Sequence, residues 1–172
     1  VSNVTYMNNM FYEARLFNQN INTKKITKND GTTYIAWDTS NVTDMGGMFY
    51  SAYKFNQPIT CWNVSNVTNM GGMFKRAYLF NQPLNNWDVS NVTDMSYMFS
   101  YAYSFNQNIN TKTVTTQNGN TYYAWDVSNV EKMNYMFCWT QRFNKSLNDW
   151  NVSKVTNMKG MFERAVVFNK PI

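Results

Sequence analysis

The chain has 172 residues, is 44% apolar and 17% aromatic, and carries a net charge of +5. This composition excludes a disordered chain, and the longest apolar stretch, at 165–168, is far shorter than the roughly 20 residues of a membrane-spanning helix. The basic residues are scattered, with no run longer than a pair such as Lys24–Lys25 or Lys75–Arg76. We therefore expect neither a transmembrane segment nor a nucleic-acid partner.

One motif repeats along the whole chain. Its serine recurs at Ser2, Ser40, Ser65, Ser90, Ser128 and Ser153, so the basic unit of 25 residues is enlarged to 38 twice. Regular repeats of this length indicate a stacked array in which each unit packs on its neighbours. We predict one array, an excerpt of a longer protein, with units at 1–38, 39–63, 64–88, 89–126, 127–151 and 152–172.

The two enlarged units carry similar inserts. Each insert has β-favouring residues on both sides of a turn, which is Asn29-Asp30-Gly31 in the first and Gln117-Asn118-Gly119 in the second. Glycine accepts the left-handed conformation that such hairpin turns require. The sequence predicts β-hairpins at about 22–36 and 110–124.

Within a regular unit, a strand pattern precedes a helix pattern. Alternation at Leu84, Trp87 and Val89 predicts a short parallel strand. An i, i+3, i+4, i+7 spacing then predicts a helix near 94–104, with an inward face of Met95, Met98, Phe99 and Ala102. All 12 methionines and all 12 phenylalanines fall in such columns, which predicts stacked interior positions. We therefore expect an α/β repeat solenoid with one short strand and one short helix in each turn.

The repeat motif reads Trp-[Asp/Asn]-Val-Ser-[Asn/Lys]-Val-Thr-[Asp/Asn]-Met-x-x-Met-Phe-x-x-Ala-x-x-Phe-Asn-Gln. It resembles a bacterial surface-protein repeat of unknown function known from mycoplasma lipoproteins and grouped with BspA-like leucine-rich-repeat proteins. The resemblance covers essentially the whole chain. It implies a leucine-rich-repeat-like right-handed solenoid, displayed on the bacterial cell surface or secreted, with a role in adhesion and no catalytic residues. The unit at 127–151 departs most, with Glu131-Lys132 and Thr140 at motif positions.

Several residue patterns suggest chemistry but have a simpler structural interpretation. The Met-x-x-Met pairs are potential soft-metal ligands, yet methionine is also an adaptable core residue. Asp38, Asp88 and Asp126 form a column of acids in which asparagine also occurs, and the chain has no histidine. We expect no enzyme activity, no metal and no cofactor. Cys61 and Cys138 lie three units apart, too far for a disulfide.

Asparagine follows phenylalanine in every unit. We predict a structural ladder that hydrogen-bonds the backbone, made of Asn18, Asn56, Asn81, Asn106, Asn144 and Asn169. Asn-Val-Thr triplets also match the glycosylation pattern, but a short polar side chain in that column has the same structural explanation.

Aromatic residues outside the core columns are the best candidates for contacts with a partner, because tyrosine and tryptophan are favoured at interfaces. They are Tyr50, Tyr97, Tyr101, Tyr135 and Trp139, with Tyr34 and Tyr122 on the hairpins. Tyr53, Tyr78 and Tyr103 share one column and suggest a structural ladder. We predict a surface-displayed or secreted module that binds a protein or glycan through exposed aromatics and hairpins. The alternative is a structural stalk or a scaffold that self-associates into a surface layer.

Overall fold

The computed structural model describes residues 1–172 and contains four short strands and no helix. Strands β1 (Lys24–Thr27) and β2 (Thr33–Ala36) pair antiparallel, with Lys24 opposite Ala36. Strands β3 (Lys112–Thr115) and β4 (Thr121–Ala124) repeat this pairing. The two hairpins lie within the ranges 22–36 and 110–124, and Gly31 and Gly119 adopt φ values of 81° and 82° in their turns.

The rest of the chain forms six coils stacked in parallel, numbered here in chain order. One residue of each coil forms a parallel bridge to the next, in the order Tyr6, Asp44, Asn69, Asp94, Lys132 and Asn157. The bridges connect equivalent positions of the repeat, so neighbouring coils are in register. Hairpin β1–β2 follows coil 1 and hairpin β3–β4 follows coil 4.

The helix predicted near 94–104 is wrong. The N–H groups of Met98, Ser100 and Ala102 donate to the carbonyl three residues earlier, at 2.9–3.2 Å, and form overlapping β-turns. The N–H groups between them donate to coil 5 instead, as shown by Tyr97 to Asn134 at 2.9 Å and Phe99 to Met136 at 2.9 Å. An α-helix would satisfy these groups within its own segment. Half of the backbone N–H groups in this segment therefore donate within the turn, and the other half donate to the next coil.

The turns nevertheless reproduce a helical burial pattern. Met95, Met98, Phe99 and Ala102 are all fully buried. Overlapping turns, like a helix, can bury residues three and four positions apart. An i, i+3, i+4, i+7 spacing of apolar residues therefore does not distinguish overlapping turns from one face of a helix. The apolar columns are interior, but the backbone that presents them is not a helix.

The predicted parallel strand at Leu84, Trp87 and Val89 is also wrong. The Trp87 N–H donates to the Leu84 carbonyl at 3.0 Å, which closes a turn. Parallel pairing occurs later in the repeat, as single bridges in the column of Asp94. With neither a helix nor a regular strand in its turns, the chain is not a leucine-rich-repeat-like solenoid.

The core runs continuously through the stack. A single cluster of 37 buried residues includes Met73, Phe74 and Phe80 of coil 3, all fully buried. Exposure rises where a coil has a neighbour on one side only, and Met10 and Met158 are 49% and 43% exposed. The expectation that every methionine is interior is wrong for these two. Burial in this fold therefore depends on neighbouring coils, as expected for a repeat array.

Tryptophans tie successive coils together through their indole N–H groups. Trp125 Nε1 donates to the Leu84 carbonyl at 2.8 Å, and Trp62 Nε1 donates to the Ile21 carbonyl at 3.0 Å. A buried indole N–H requires such a partner, and the repeat supplies one from the preceding coil. The structure contains no helix that is long and apolar enough to cross a membrane.

Candidate binding face

The asparagine column forms a side-chain ladder along the stack. The Asn81 N–H donates to Asn56 Oδ1 at 2.9 Å, and the Asn106 N–H donates to Asn81 Oδ1 at 2.9 Å. The same bond recurs between every pair of neighbours among Asn18, Asn56, Asn81, Asn106, Asn144 and Asn169. The four inner members are half-buried and the two outer members are exposed. These side chains are occupied in linking coils.

Two columns of residues adopt left-handed backbone conformations, and we call them the left-handed columns. The first contains Asn9, Gly47, Gly72, Tyr97, Tyr135 and Gly160. The second contains Glu13, Ser51, Arg76, Tyr101, Trp139 and Arg164. All have φ between 55° and 63°. This conformation closes the overlapping turns, and it costs about 1–2 kcal/mol for a residue other than glycine.

Four of the predicted contact residues occupy these left-handed positions. Tyr97 and Tyr135 replace the glycines of the first column, while Tyr101 and Trp139 belong to the second. Bulky residues rarely adopt a positive φ, and such residues concentrate at functional sites. The left-handed columns thus include four of the side chains that the sequence predicts to be exposed contact residues, and the structure leaves all four half-buried.

A groove crosses coils 1 to 4 on this side of the stack, and we call it the glycine groove. Its volume is about 400 Å³, and its lining includes Gly46, Gly47, Gly71 and Gly72 together with Tyr50, Lys75 and Tyr97. A Cβ at Gly46 would lie 2.8 Å from Asn69 Nδ2, and one at Gly47 would clash with Asn9 Oδ1. The glycines of coil 2 therefore leave room for the Asn69 and Asn9 side chains of the neighbouring coils, whereas a Cβ at Gly72 would meet no atom nearer than 3.9 Å.

Polar side chains supply the hydrogen-bonding groups of the glycine groove. Asp44 Oδ1 accepts the Gly46 N–H at 2.8 Å and Asn69 Nδ2 at 3.1 Å, while Asp44 Oδ2 accepts no bond from the protein. Asn8, Asn9 and Ser96 complete this part of the lining. The groove offers carboxylate and amide oxygens as acceptors and amide groups as donors.

A second groove adjoins the first, and we call it the aromatic groove. It has a volume of about 370 Å³ and is lined by Lys75, Arg76, Tyr97, Ser100, Tyr101, Tyr135, Cys138, Trp139 and Glu163. Lys75 and Tyr97 line both grooves, so the two meet at these residues. Burial, and then the Glu163 carboxylate, raise the pKa of the Cys138 thiol. We call the two grooves together the binding face.

Lys75 lies between two tyrosine pairs at the junction. Its Nζ is 4.3 Å from the centroid of the Tyr97 ring and 5.3 Å from that of the Tyr50 ring. Tyr50 stacks in turn on Tyr12, and Tyr97 stacks on Tyr135. Burial, and then the Arg76 guanidinium, lower the pKa of the Lys75 ammonium. The two ion pairs of the structure are Arg15–Glu13 and Lys132–Asp94, so Lys75 has no carboxylate partner.

Two arginines enclose the other aromatic pair. The Tyr101 and Trp139 rings stack with centroids 5.7 Å apart. Arg76 lies 5.7 Å from the Tyr101 centroid, and Arg164 lies 5.8 Å from the Trp139 centroid. Cations placed over aromatic faces gain about 0.5–1 kcal/mol at exposed sites. The binding face therefore presents ring edges, hydroxyls and cations rather than free ring faces.

The structure brings five of the seven predicted contact residues onto this face. Tyr50, Tyr97, Tyr101, Tyr135 and Trp139 all line one or both grooves. The remaining two lie on the hairpins, away from the grooves. Tyr34 is 49% exposed, and Lys28 Nζ lies 5.8 Å from its ring centroid.

Hairpin β3–β4 packs against the preceding coils through Tyr122. The Tyr122 hydroxyl donates to the Asn86 carbonyl, and burial, followed by the Asp88 carboxylate, raises the pKa of Tyr122. Tyr122, Thr116 and Gln117 cover a cleft of about 660 Å³ above 60–65. Tyr122 is thus partly structural, whereas Tyr34 at the equivalent position of the first hairpin is exposed.

Other candidate groups are engaged in local structure. The acid column caps its own turns, as where Asp88 Oδ1 accepts the Ser90 N–H at 3.1 Å. Tyr78 stacks between Tyr53 and Tyr103, at 4.6 and 4.9 Å. The first asparagine of each Asn-Val-Thr triplet after coil 1 donates to a serine carbonyl of the preceding coil. Both cysteines are unpaired, as predicted, and no group of three or more potential metal ligands occurs.

Sequence reasoning missed the charged and polar members of the binding face. Lys75 and Arg76 stand out in the sequence only as a basic pair, and Arg164 is isolated. Asp44 and Asn69 belong to a column of mainly Asp and Asn, where neither differs from its neighbours in the repeat. The doublets Gly46-Gly47 and Gly71-Gly72 were the available signal, because glycine pairs in two successive units indicate positions where a neighbouring group approaches the backbone closely.

The stacked, turn-based coils define the chain as a repeat protein, and the binding face lies on one side of the stack. A family model described as "Mycoplasma protein of unknown function, DUF285" matches residues 1–35, 24–124 and 112–172. The chain belongs to this family. No curated protein and no solved structure matches the chain.

Proposed function

We propose that the chain is a surface-displayed or secreted binding module of a bacterial protein, and that the binding face contacts a glycan or protein partner. The grouping with BspA-like surface proteins is part of this proposal. The observation that carries it is the placement of Tyr97 and Tyr135 at left-handed positions on the walls of two grooves.

The energetics of these positions support a role beyond folding. Glycine at Gly47, Gly72 and Gly160 meets the same backbone requirement. A tyrosine there costs about 1–2 kcal/mol in strain, while glycine costs about 0.5–1 kcal/mol in conformational entropy. Stacking of Tyr97 on Tyr135 returns about 0.5–1.5 kcal/mol. The free energy of folding is therefore nearly the same with tyrosine as with glycine at these positions. Contact with a partner gives tyrosine its advantage.

The test uses the substitution that the repeat itself tolerates. The double variant Tyr97→Gly, Tyr135→Gly should keep its thermal unfolding midpoint within a few degrees of the unmodified chain, because the expected change is about 1 kcal/mol or less. On an array of glycans and matrix proteins it should lose most of the signal. Tyr123→Ser is the control, since Tyr123 is 62% exposed on β4. Undiminished binding by the double variant would refute the proposed face.

A further inference from the structure

Two cations that no protein carboxylate neutralises line the binding face, Lys75 and Arg76, and Lys75 lies where the two grooves meet. The Lys75 ammonium is half-buried between the Tyr50 and Tyr97 rings, which attract it only through their quadrupoles. An ammonium carries three N–H donors, and none of those on Lys75 bonds to a protein oxygen. A ligand anion at this point would supply both the missing charge and the missing acceptors.

We propose that Lys75 binds the anionic group of an acidic oligosaccharide, with the neighbouring sugar hydroxyls held in the glycine groove. This inference rests on the proposed function, because it names the ligand class of the same face.

The lining of the two grooves favours a sugar over an acidic peptide. Sugar hydroxyls both donate and accept, and the glycine groove offers the free Asp44 Oδ2 as an acceptor and the Asn8 and Asn9 amides as donors. Carboxylates lie on both sides of the cation, with Asp44 in one groove and Glu163 in the other. They disfavour a run of negative charges. In the glycine groove the charged lining residues are Lys75 and Asp44, so this part of the site favours one anionic group at Lys75 flanked by neutral, hydroxyl-rich units.

Size and shape agree with this ligand class. Grooves of about 400 and 370 Å³ lie within the range of small-molecule sites, and together they form one open path. A Cβ at Gly72 would meet no atom nearer than Lys75 Cβ at 3.9 Å, so the groove is open against the backbone of coil 3, next to Lys75. Tyr50 lines the glycine groove and Tyr97 lines both grooves.

The test compares a trisaccharide that contains a single uronic acid with the methyl ester of the same trisaccharide, by titration calorimetry on the full chain. The unmodified chain should bind the acid about tenfold or more tightly than the ester. Lys75→Gln should abolish the difference, and Lys75→Arg should retain most of it. Lys25→Gln removes the same charge on hairpin β1–β2 and should change neither affinity. Higher salt should weaken binding of the acid and leave the ester unaffected.

The outcomes separate this inference from the proposed function. Equal affinity for acid and ester overturns the role of Lys75 and leaves the binding face in place. Binding of matrix proteins alone has the same consequence. Absence of any binding by the face, to sugars or proteins, overturns both. Should Lys75→Gln fail to fold, the acid–ester comparison and its salt dependence on the unmodified chain still decide the matter.

Discussion

The asparagine ladder makes a position-dependent prediction about stability. Asn81→Ala removes the acceptor of two donors, the Asn106 N–H and Gln107 Nε2, each at 2.9 Å. Gln107 Nε2 keeps a second acceptor, the Asn81 backbone carbonyl, at 2.9 Å. The Asn106 N–H is left without a partner in a half-buried position. An unsatisfied buried donor costs about 1–3 kcal/mol, and partial solvent access places this one near 1–2 kcal/mol.

The matched control lies at the end of the same ladder. Asn169 Oδ1 accepts no bond from the protein, although the Asn169 N–H still donates to Asn144. Asn169→Ala should therefore cost about 0.5 kcal/mol or less. Asn81→Asp keeps an acceptor oxygen and should recover most of the loss. Urea unfolding monitored by tryptophan fluorescence measures the three free energies. A loss from Asn81→Ala no larger than that from Asn169→Ala would refute the ladder as a source of stability.

Two further predictions concern the core and the response to acid. Phe74→Ala should cost about 3–5 kcal/mol in urea unfolding, because this fully buried ring packs against Phe80 at 4.0 Å, whereas Phe162→Ala in the partly exposed sixth coil should cost clearly less. Equal losses would contradict the dependence of burial on neighbouring coils. The Ser40 hydroxyl and then the Ser40 N–H lower the pKa of Asp38, so its stabilising contribution is present above the unfolded-state pKa and is lost as pH falls through the folded-state pKa. Asp38→Asn should flatten the decline of the unfolding free energy below about pH 4, and an unchanged acid profile would show that this carboxylate does not contribute.

The interior of this protein was predictable from sequence, but its backbone was not. Column analysis identified Met95, Met98 and Phe99 as buried because a stacked array repeats each environment. The same spacing suggested a helix, since overlapping turns also bury positions three and four apart. Gly47 and Gly72 indicated the opposite, because glycine in the interior of a short helix destabilises it.

The binding face was predictable only in part. Aromatic residues such as Tyr97 and Trp139 could be selected because they lie outside the core columns, although the structure leaves both half-buried rather than exposed. Their convergence depended on the register of the coils, which brings residues 25 or 38 apart in sequence into contact. The role of Lys75 could not be predicted, because only the structure shows that Tyr50 and Tyr97 lie on either side of its ammonium group. The position of a charged residue in a sequence does not reveal whether an acid neutralises it in space.

The left-handed columns have a consequence for how such a protein can change. Each of these residues except those of the last coil anchors its own N–H to the next coil, as where Gly47 donates to Gly71 at 2.8 Å and Tyr97 donates to Asn134 at 2.9 Å. The backbone at these sites is fixed by neighbours rather than by the side chain it carries. Residues as different as glycine, serine, tyrosine and arginine therefore occur at these two positions in one stack. Successive coils repeat at roughly the 4.8 Å spacing of paired strands, so side chains at equivalent positions form a row along the stack. Exchanging single residues in such a row changes the surface while the architecture stays constant.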